Sequence, residues 1–178
     1  MSNYKIIFTG PVGAGKTTAI GSLSDIPVIT TDEYASDMTQ HRKEKTTVAM
    51  DYGLMKLDGG ERIHLYGTPG QERFDFMWEI LTQGGIGLIL LLDNTRADPF
   101  QDMRFFLNSF DDFIKRTKLA IGITRMDLQA GPGLEDYHAE LRKLGMNPPL
   151  FEVDARKRID IVQLVEALLF SLDPWLGE

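Results

Sequence analysis

Gly10-Pro11-Val12-Gly13-Ala14-Gly15-Lys16-Thr17 is the stretch on which the fold of this chain turns. It fits the pattern G-x-x-x-x-G-K-[ST], in which each fixed position has a mechanical reason. Glycines let the backbone curl until the N–H groups of Gly13, Ala14, Gly15, Lys16, Thr17 and Thr18 point inward at phosphate oxygens. A helix beginning near Lys16 adds the positive end of its dipole. Lys16 would bridge the terminal phosphates of a nucleotide, and Thr17 would offer its hydroxyl to Mg²⁺. A glycine-rich turn with an exposed lysine is the bland alternative, and it leaves the flanks unexplained. Tyr4 to Thr9 is a β-branched and aromatic run, and the residues from Lys16 onward read as helix.

Working outward, Ile86 to Leu92, Leu119 to Ile123 and Leu150 to Val153 are short apolar runs without polar alternation, as parallel strands buried on both faces require. Between and after them, apolar residues recur at i, i+3, i+4, i+7: Met103, Phe106, Leu107 and Phe110; Leu134, Tyr137, His138 and Leu141; Ile161, Leu164, Val165 and Leu168. Strand and helix therefore alternate. Val48 to Leu57 and Arg62 to Tyr66 flank Asp58-Gly59-Gly60, a tight-turn signal that predicts an antiparallel hairpin. The expected architecture is α/β: one domain over residues 1–178 with a mostly parallel, doubly wound sheet and one antiparallel edge strand. Thr30 to Thr46 is the irregular part, polar, aperiodic and long for a connection in a compact domain, which marks it as a functional loop.

Composition narrows the partners. A formal charge of −7 argues against nucleic-acid binding and against broad affinity for an anionic membrane. The absence of cysteine removes disulfides, prenylation and palmitoylation and fits a reducing compartment. Met1-Ser2-Asn3 lacks the glycine that myristoylation needs, no basic segment precedes an apolar one, and the longest apolar run is far too short to cross a bilayer. A cytoplasmic protein without a stable membrane anchor is the expectation.

Two segments after the phosphate loop carry a family resemblance. Thr47-Val48-Ala49-Met50-Asp51-Tyr52 is similar to the end of switch I in Ras-superfamily GTPases, and Gly67-Thr68-Pro69-Gly70-Gln71-Glu72-Arg73-Phe74 resembles their switch II. Thr124-Arg125-Met126-Asp127 resembles the guanine motif [NT]-K-x-D, and Asp154-Ala155-Arg156 the S-A-K motif that follows it. The resemblance covers nearly the whole chain and implies a P-loop NTPase with a Ras-like G domain, a GTPase using GTP/GDP and Mg²⁺. Switch I would span about 30–52 and switch II about 67–83. It implies Thr47 as the second hydroxyl on Mg²⁺, with Thr46 as the alternative; Gly70 as an amide donor to the γ-phosphate; and Gln71 as the residue that orients the attacking water. Asp127 would accept the guanine N1–H and N2 amino protons, a donor pair adenine lacks. Arg125 would lie against base or ribose, the Ala155 amide would donate to guanine O6, and Arg156 would flank it. Within the superfamily the switch stretches look most like the bacterial gliding-motility, roadblock-associated branch. That resemblance implies a roadblock/LC7-fold activator and polarity or motility effectors as partners.

The pattern also breaks. Ras-like proteins place at Gly67 an aspartate that holds Mg²⁺ through water; here Asp32, Asp51 or Asp93 would have to replace it, and weaker Mg²⁺ binding is expected. Val12 stands where relatives carry a smaller residue and predicts slow unaided hydrolysis. Arg42 is either an arginine finger in cis or a solvated loop charge beside Lys43 and Lys45. His41, His64 and His138 show no metal-ligand spacing. Phe100, Phe105, Phe106, Phe110 and Phe113 read as core, whereas Trp78 reads equally as core or as an effector surface. Three functions follow: a slow GTPase switch, a GTP-binding interaction module with little hydrolysis, and, less well supported for want of a lid, a small-molecule kinase.

Overall fold

The computed structural model describes residues 2–30, 50–69, 75–128 and 131–172. Strands β1 (Asn3–Thr9), β2 (Ile29–Thr30), β3 (Asp51–Lys56), β4 (Arg62–Gly67), β5 (Gly87–Asp93), β6 (Leu119–Thr124) and β7 (Leu150–Glu152) form one sheet in the order β2-β3-β4-β1-β5-β6-β7. The helices are α1 (Lys16–Leu23), α2 (Asp75–Leu81), α3 (Pro99–Ser109), α4 (Asp111–Arg116), α5 (Leu134–Lys143) and α6 (Arg158–Leu172). β4, β1, β5, β6 and β7 run parallel. β3 is antiparallel to β4 through the Asp58-Gly59-Gly60 turn, as the hairpin signal requires. The sheet's edge is one strand further out, because Ile29–Thr30 adds itself antiparallel to β3. Two residues carry too little pattern to be read as a strand.

Composition explains which strands are central. β5 reads Gly-Leu-Ile-Leu-Leu-Leu-Asp and is buried at every position, since helices cover both of its faces. α1 and α6 close one face, joining Ile6, Phe8, Ile20, Leu91, Leu164 and Leu168 in one core. α3, α4 and α5 close the other over Ile7, Leu90, Ile121, Phe106 and Tyr137, which is fully buried. Trp78 belongs to this second core: it is 3% exposed, stacks on Phe110 with centroids 4.9 Å apart, and donates its indole N–H to the Pro69 carbonyl at 3.0 Å. Phe106, Phe110 and Phe113 are buried with it, and Phe100 and Phe105 pack against it from the rim. The effector-surface reading of Trp78 therefore gives way to the core reading.

α3 and α4 divide a single amphipathic run. Pro99 opens α3 at a position whose N–H needs no partner, and the Asp98 carboxylate caps it by accepting from the Gln101 amide at 3.0 Å. No helix among the described residues is long and apolar enough to cross a membrane. The C-terminal ends of β1, β5, β6 and β7 open on the same side of the sheet, beside the point where chain order reverses around β1, the usual place for a ligand cleft in such sheets.

Candidate functional site

β1 ends at Thr9 and the chain turns at Gly10, where φ is +147° and an added Cβ would lie 2.1 Å from the Leu91 carbonyl oxygen of β5. Only glycine lets the loop leave the sheet there. The loop closes at Gly15, left-handed at φ 102° and cap of α1, so Lys16 is the first residue of the helix. The Lys16 ammonium folds back to donate to the carbonyls of Gly10 at 2.7 Å and Pro11 at 2.9 Å, and the Ala14 amide donates to Pro11 at 3.1 Å. Burial lowers the Lys16 pKa to about 8, opposed in part by the Asp51 carboxylate. Val12 stands at the rim, 58% exposed.

The phosphate loop is held from the next strands. Thr124, last in β6, donates its hydroxyl to the Ala14 carbonyl at 3.1 Å. Arg125, the only non-glycine residue with positive φ among the described residues, donates from one guanidinium nitrogen to the Gly13 carbonyl at 2.7 Å and to the Asp93 carboxylate. Opposite them, Ala155 packs near Gly15, and the Asp154 amide donates to Asp160 at 2.8 Å. Arg156 turns its guanidinium onto Asp154, Nε at 2.9 Å and Nη2 at 2.8 Å, and holds that carboxyl well below the usual carboxylate range. Together these loops border a cleft of about 550 Å³ whose walls include Ala14, Thr18, Asp127 and Ala155. Thr124, Arg125, Asp127, Ala155 and Arg156, chosen on motif resemblance and their place after strands, thus meet at one cleft beside the phosphate loop. Asp93 and Asp160 were not anticipated in these roles; an acidic residue closing the otherwise apolar β5 was the available signal for the first.

At the other end of the loop, Thr17 donates its hydroxyl to Asp51, the first residue of β3. The antiparallel register sets Asp51 directly opposite Gly67 at the end of β4. A Cβ on Gly67 would come within 3.3 Å of both the Asp51 Cβ and its Oδ2, and within 3.0 Å of Ile20. Glycine at 67 and aspartate at 51 are thus complementary in space. Of the other two candidates, Asp93 is occupied by Arg125 and Thr95, and Asp32 lies outside the described residues. So do Arg42, Thr46, Thr47, Gly70 and Gln71. Just ahead of them, Thr68 is tied to the end of β1, its hydroxyl sharing a buried 2.7 Å hydrogen bond with Thr9 and its amide donating to Phe8. Among the described residues no group of three or more His, Asp and Glu side chains stands ready to hold a metal. His64 serves the sheet, bonded to the Tyr52 hydroxyl at 2.7 Å and to the Asn3 side chain at 3.1 Å.

A family model described as conserved hypothetical ATP binding protein matches residues 27–144, from the edge strand through α5. The chain belongs to that family. Similarity to characterised names comes from elsewhere. GTP-binding protein YPTM2 of Zea mays is 26% identical over 171 residues, covering 95% of this chain and 79% of that protein. Ras-related protein Rab-1C of Dictyostelium discoideum is 27% identical over 158 residues, 86% and 72% of the two chains. An uncharacterized protein of Methanocaldococcus jannaschii is 33% identical over 98 residues, which span 55% of this chain and 56% of that protein. This member of the conserved hypothetical ATP binding protein family therefore also resembles Ras- and Rab-type proteins at low identity along most of its length, and its sheet and phosphate loop are those of a Ras-like P-loop fold.

Proposed function

We propose that the chain is a single G domain that binds guanine nucleotide and hydrolyses GTP slowly, acting as a switch. The observation that carries this reading is the cleft between Asp127 and Ala155, continuous with a phosphate loop whose lysine is already buried at the loop's centre. The family description names ATP, the names of the Ras- and Rab-type relatives point to GTP, and the chemistry of the cleft favours the second. Asp127 is an acceptor, guanine presents two adjacent donors at N1 and N2, and adenine presents an acceptor at N1. A mismatched edge leaves a polar group unpaired. The Ala155 amide would meet guanine O6.

The donors at the other end are all hard oxygens, a hydroxyl on Thr17 and a carboxylate on Asp51, and suit Mg²⁺. Mg²⁺, when bound, would neutralise charge between the β- and γ-phosphates. Thr17 would ligate it, Thr47 would join from switch I, and Asp51 would hold a coordinating water in place of the aspartate absent at Gly67. Lys16 would exchange its two carbonyl partners for phosphate oxygens, Gly70 would donate to the γ-phosphate and Gln71 would orient water. The Thr47 to Tyr52 and Thr68 to Gln71 stretches support a place near the gliding-motility branch, with a roadblock/LC7-type activator and protein effectors.

The test incubates the purified protein with GTP or ATP and Mg²⁺, identifies the nucleotide retained and measures phosphate release, with Gln71→Ala as control. Retained guanine nucleotide with release that Gln71→Ala abolishes supports the switch. Retention of GTP with no release even on long incubation favours a binding module, and preference for ATP overturns the guanine assignment.

A further inference from the structure

Asp93 closes β5 with a side chain that is only 7% exposed, and a buried charge requires a partner. One oxygen accepts from the Thr95 amide at 2.9 Å and the Thr95 hydroxyl at 2.6 Å. An asparagine could keep both, because its amide oxygen also accepts two hydrogen bonds. The charge is explained only by the second oxygen, which receives Arg125. The same Arg125 nitrogen reaches the Gly13 carbonyl at 2.7 Å. Arg125 does so from a left-handed backbone, φ 60°, which side-chain-bearing residues rarely adopt and which persists where surrounding contacts over-determine it. That turn directs the chain from β6 into Met126-Asp127 at the cleft.

The consequence for the phosphate loop follows from peptide geometry. In a trans peptide the carbonyl of one residue and the N–H of the next point in opposite directions. Arg125 and Thr124 draw the carbonyls of Gly13 and Ala14 toward β6, and so set the amides of Ala14 and Gly15 toward the loop's interior. The Ala14 amide does point that way, into the loop at Pro11. Three segments, the end of β5, the base loop after β6 and the phosphate loop, thus meet at one guanidinium nitrogen.

We infer that Asp93 is a positioning residue that locks Arg125, and through it couples base recognition at Asp127 to phosphate retention at Gly13 to Gly15. The inference rests on the nucleotide-binding reading above. Neither Asp93 nor its pair need touch the base for it to hold.

The experiment measures two quantities on the full chain, the release rate of fluorescently labelled GDP and the affinity ratio of GDP to inosine diphosphate, which lacks the 2-amino group offered to Asp127. D93N keeps both Thr95 bonds and removes the charge. It is expected to release GDP about tenfold faster and to narrow the GDP-to-inosine-diphosphate ratio, the loss of a charge-assisted bond. R125A should do the same, and the double variant should be no worse than the worse single one, since both remove one interaction. Unchanged release and ratio in D93N overturn the coupling. So do single effects that multiply in the double variant, or a lowered melting temperature with an unaltered ratio. Should D93N fail to fold, R125K carries the test: an ammonium that reaches one acceptor at a time is expected to give an intermediate release rate, and a wild-type rate overturns the proposal. If the wild-type protein retains ADP instead, the guanine reading fails by itself. D93N is then scored on ADP release and on the preference for ADP over purine riboside diphosphate, which lacks the 6-amino group; no change in either overturns the coupling.

Discussion

The two ends of the phosphate loop, which we propose face the base and the metal, are built in different ways. At the base end, Arg125 bonds to Asp93, and Thr124 and Arg125 reach two phosphate-loop carbonyls, so the loops after β5 and β6 brace each other and the phosphate loop, while Asp154 and Asp160 tie the loop after β7 to the start of α6. At the metal end, the described contact to the phosphate loop is one hydroxyl on one carboxylate, Thr17 on Asp51, carried by a strand near the sheet's edge. The base end is preorganised by parallel strands buried on both faces. The metal end depends on the register of an antiparallel hairpin. Preorganised groups lose little freedom on binding, so affinity should reside mainly in the first end and regulation in the second.

The largest expected effect tests what the two ends share. Lys16→Met should weaken nucleotide binding on the order of a hundredfold, a loss of about 3 kcal/mol, since it removes charge-assisted bonds to phosphate at the loop's centre. Titration calorimetry decides it, and retention of wild-type affinity would place the phosphates elsewhere.

Asp127→Ala probes the base end alone. Guanine affinity should fall by about 2 kcal/mol while the Mg²⁺ requirement stays where it was, because the two ends share no side chain there. A parallel rise in the Mg²⁺ requirement would erase the distinction drawn between them.

Asp51→Asn probes the metal end. The Mg²⁺ concentration for half-maximal GTP binding should rise by about tenfold, typical of a lost outer partner, with the affinity for nucleotide in excess Mg²⁺ little changed. An unaltered Mg²⁺ titration would remove Asp51 from the metal's surroundings. Gly67→Asp should not rescue it fully, since the new side chain enters space held by residue 51 and Ile20.

The pH dependence is smaller and acts at the centre. Lys16 has a folded pKa of about 8, below its unfolded value of 10.5, so the folded protein releases this proton first. Its buried charge opposes folding below about pH 8, and that penalty is relieved as pH rises between the two values. Phosphate binding runs the other way, because it needs the ammonium. Nucleotide affinity should therefore fall as pH is raised through about 8 while melting temperature holds or rises. A flat affinity profile across pH 7–9 would contradict the buried lysine.

The smallest effect lies outside the cleft. Arg158 donates to the carbonyls of Leu23 at 2.8 Å and Ser22 at 3.2 Å, closing the C-terminal end of α1. Arg158→Ala should lower stability by about 1 kcal/mol, near 3 °C in melting temperature, and leave nucleotide release untouched. A change in release would mean that α1 transmits strain to Lys16.

Much of this was legible in the linear chain. Gly10 to Thr17 could be read because each position in a phosphate loop is dictated locally, by a φ only glycine adopts or by a side chain one turn into a helix. The central strands β5 and β6 were legible because burial on both faces leaves uninterrupted apolar runs, and the positions of Thr124 at the end of β6 and of Asp127 and Ala155 just beyond β6 and β7 follow from where those strands stop. β2 was not legible, being two residues long, and Trp78 could be placed only once Phe110 was seen against it.

What the sequence determined by itself is the local pattern: a glycine-rich phosphate loop, its lysine, a carboxylate after β6 that we propose for a purine edge, and a glycine where Ras-like proteins customarily carry an aspartate. Tertiary structure alone decided which carboxylate stands opposite that glycine and which one holds Arg125. Asp51 reaches Gly67 through hairpin register, and Asp93 reaches Arg125 through the alignment of β5 on β6. Both pairings join residues distant along the chain, and only sheet packing fixes such distances.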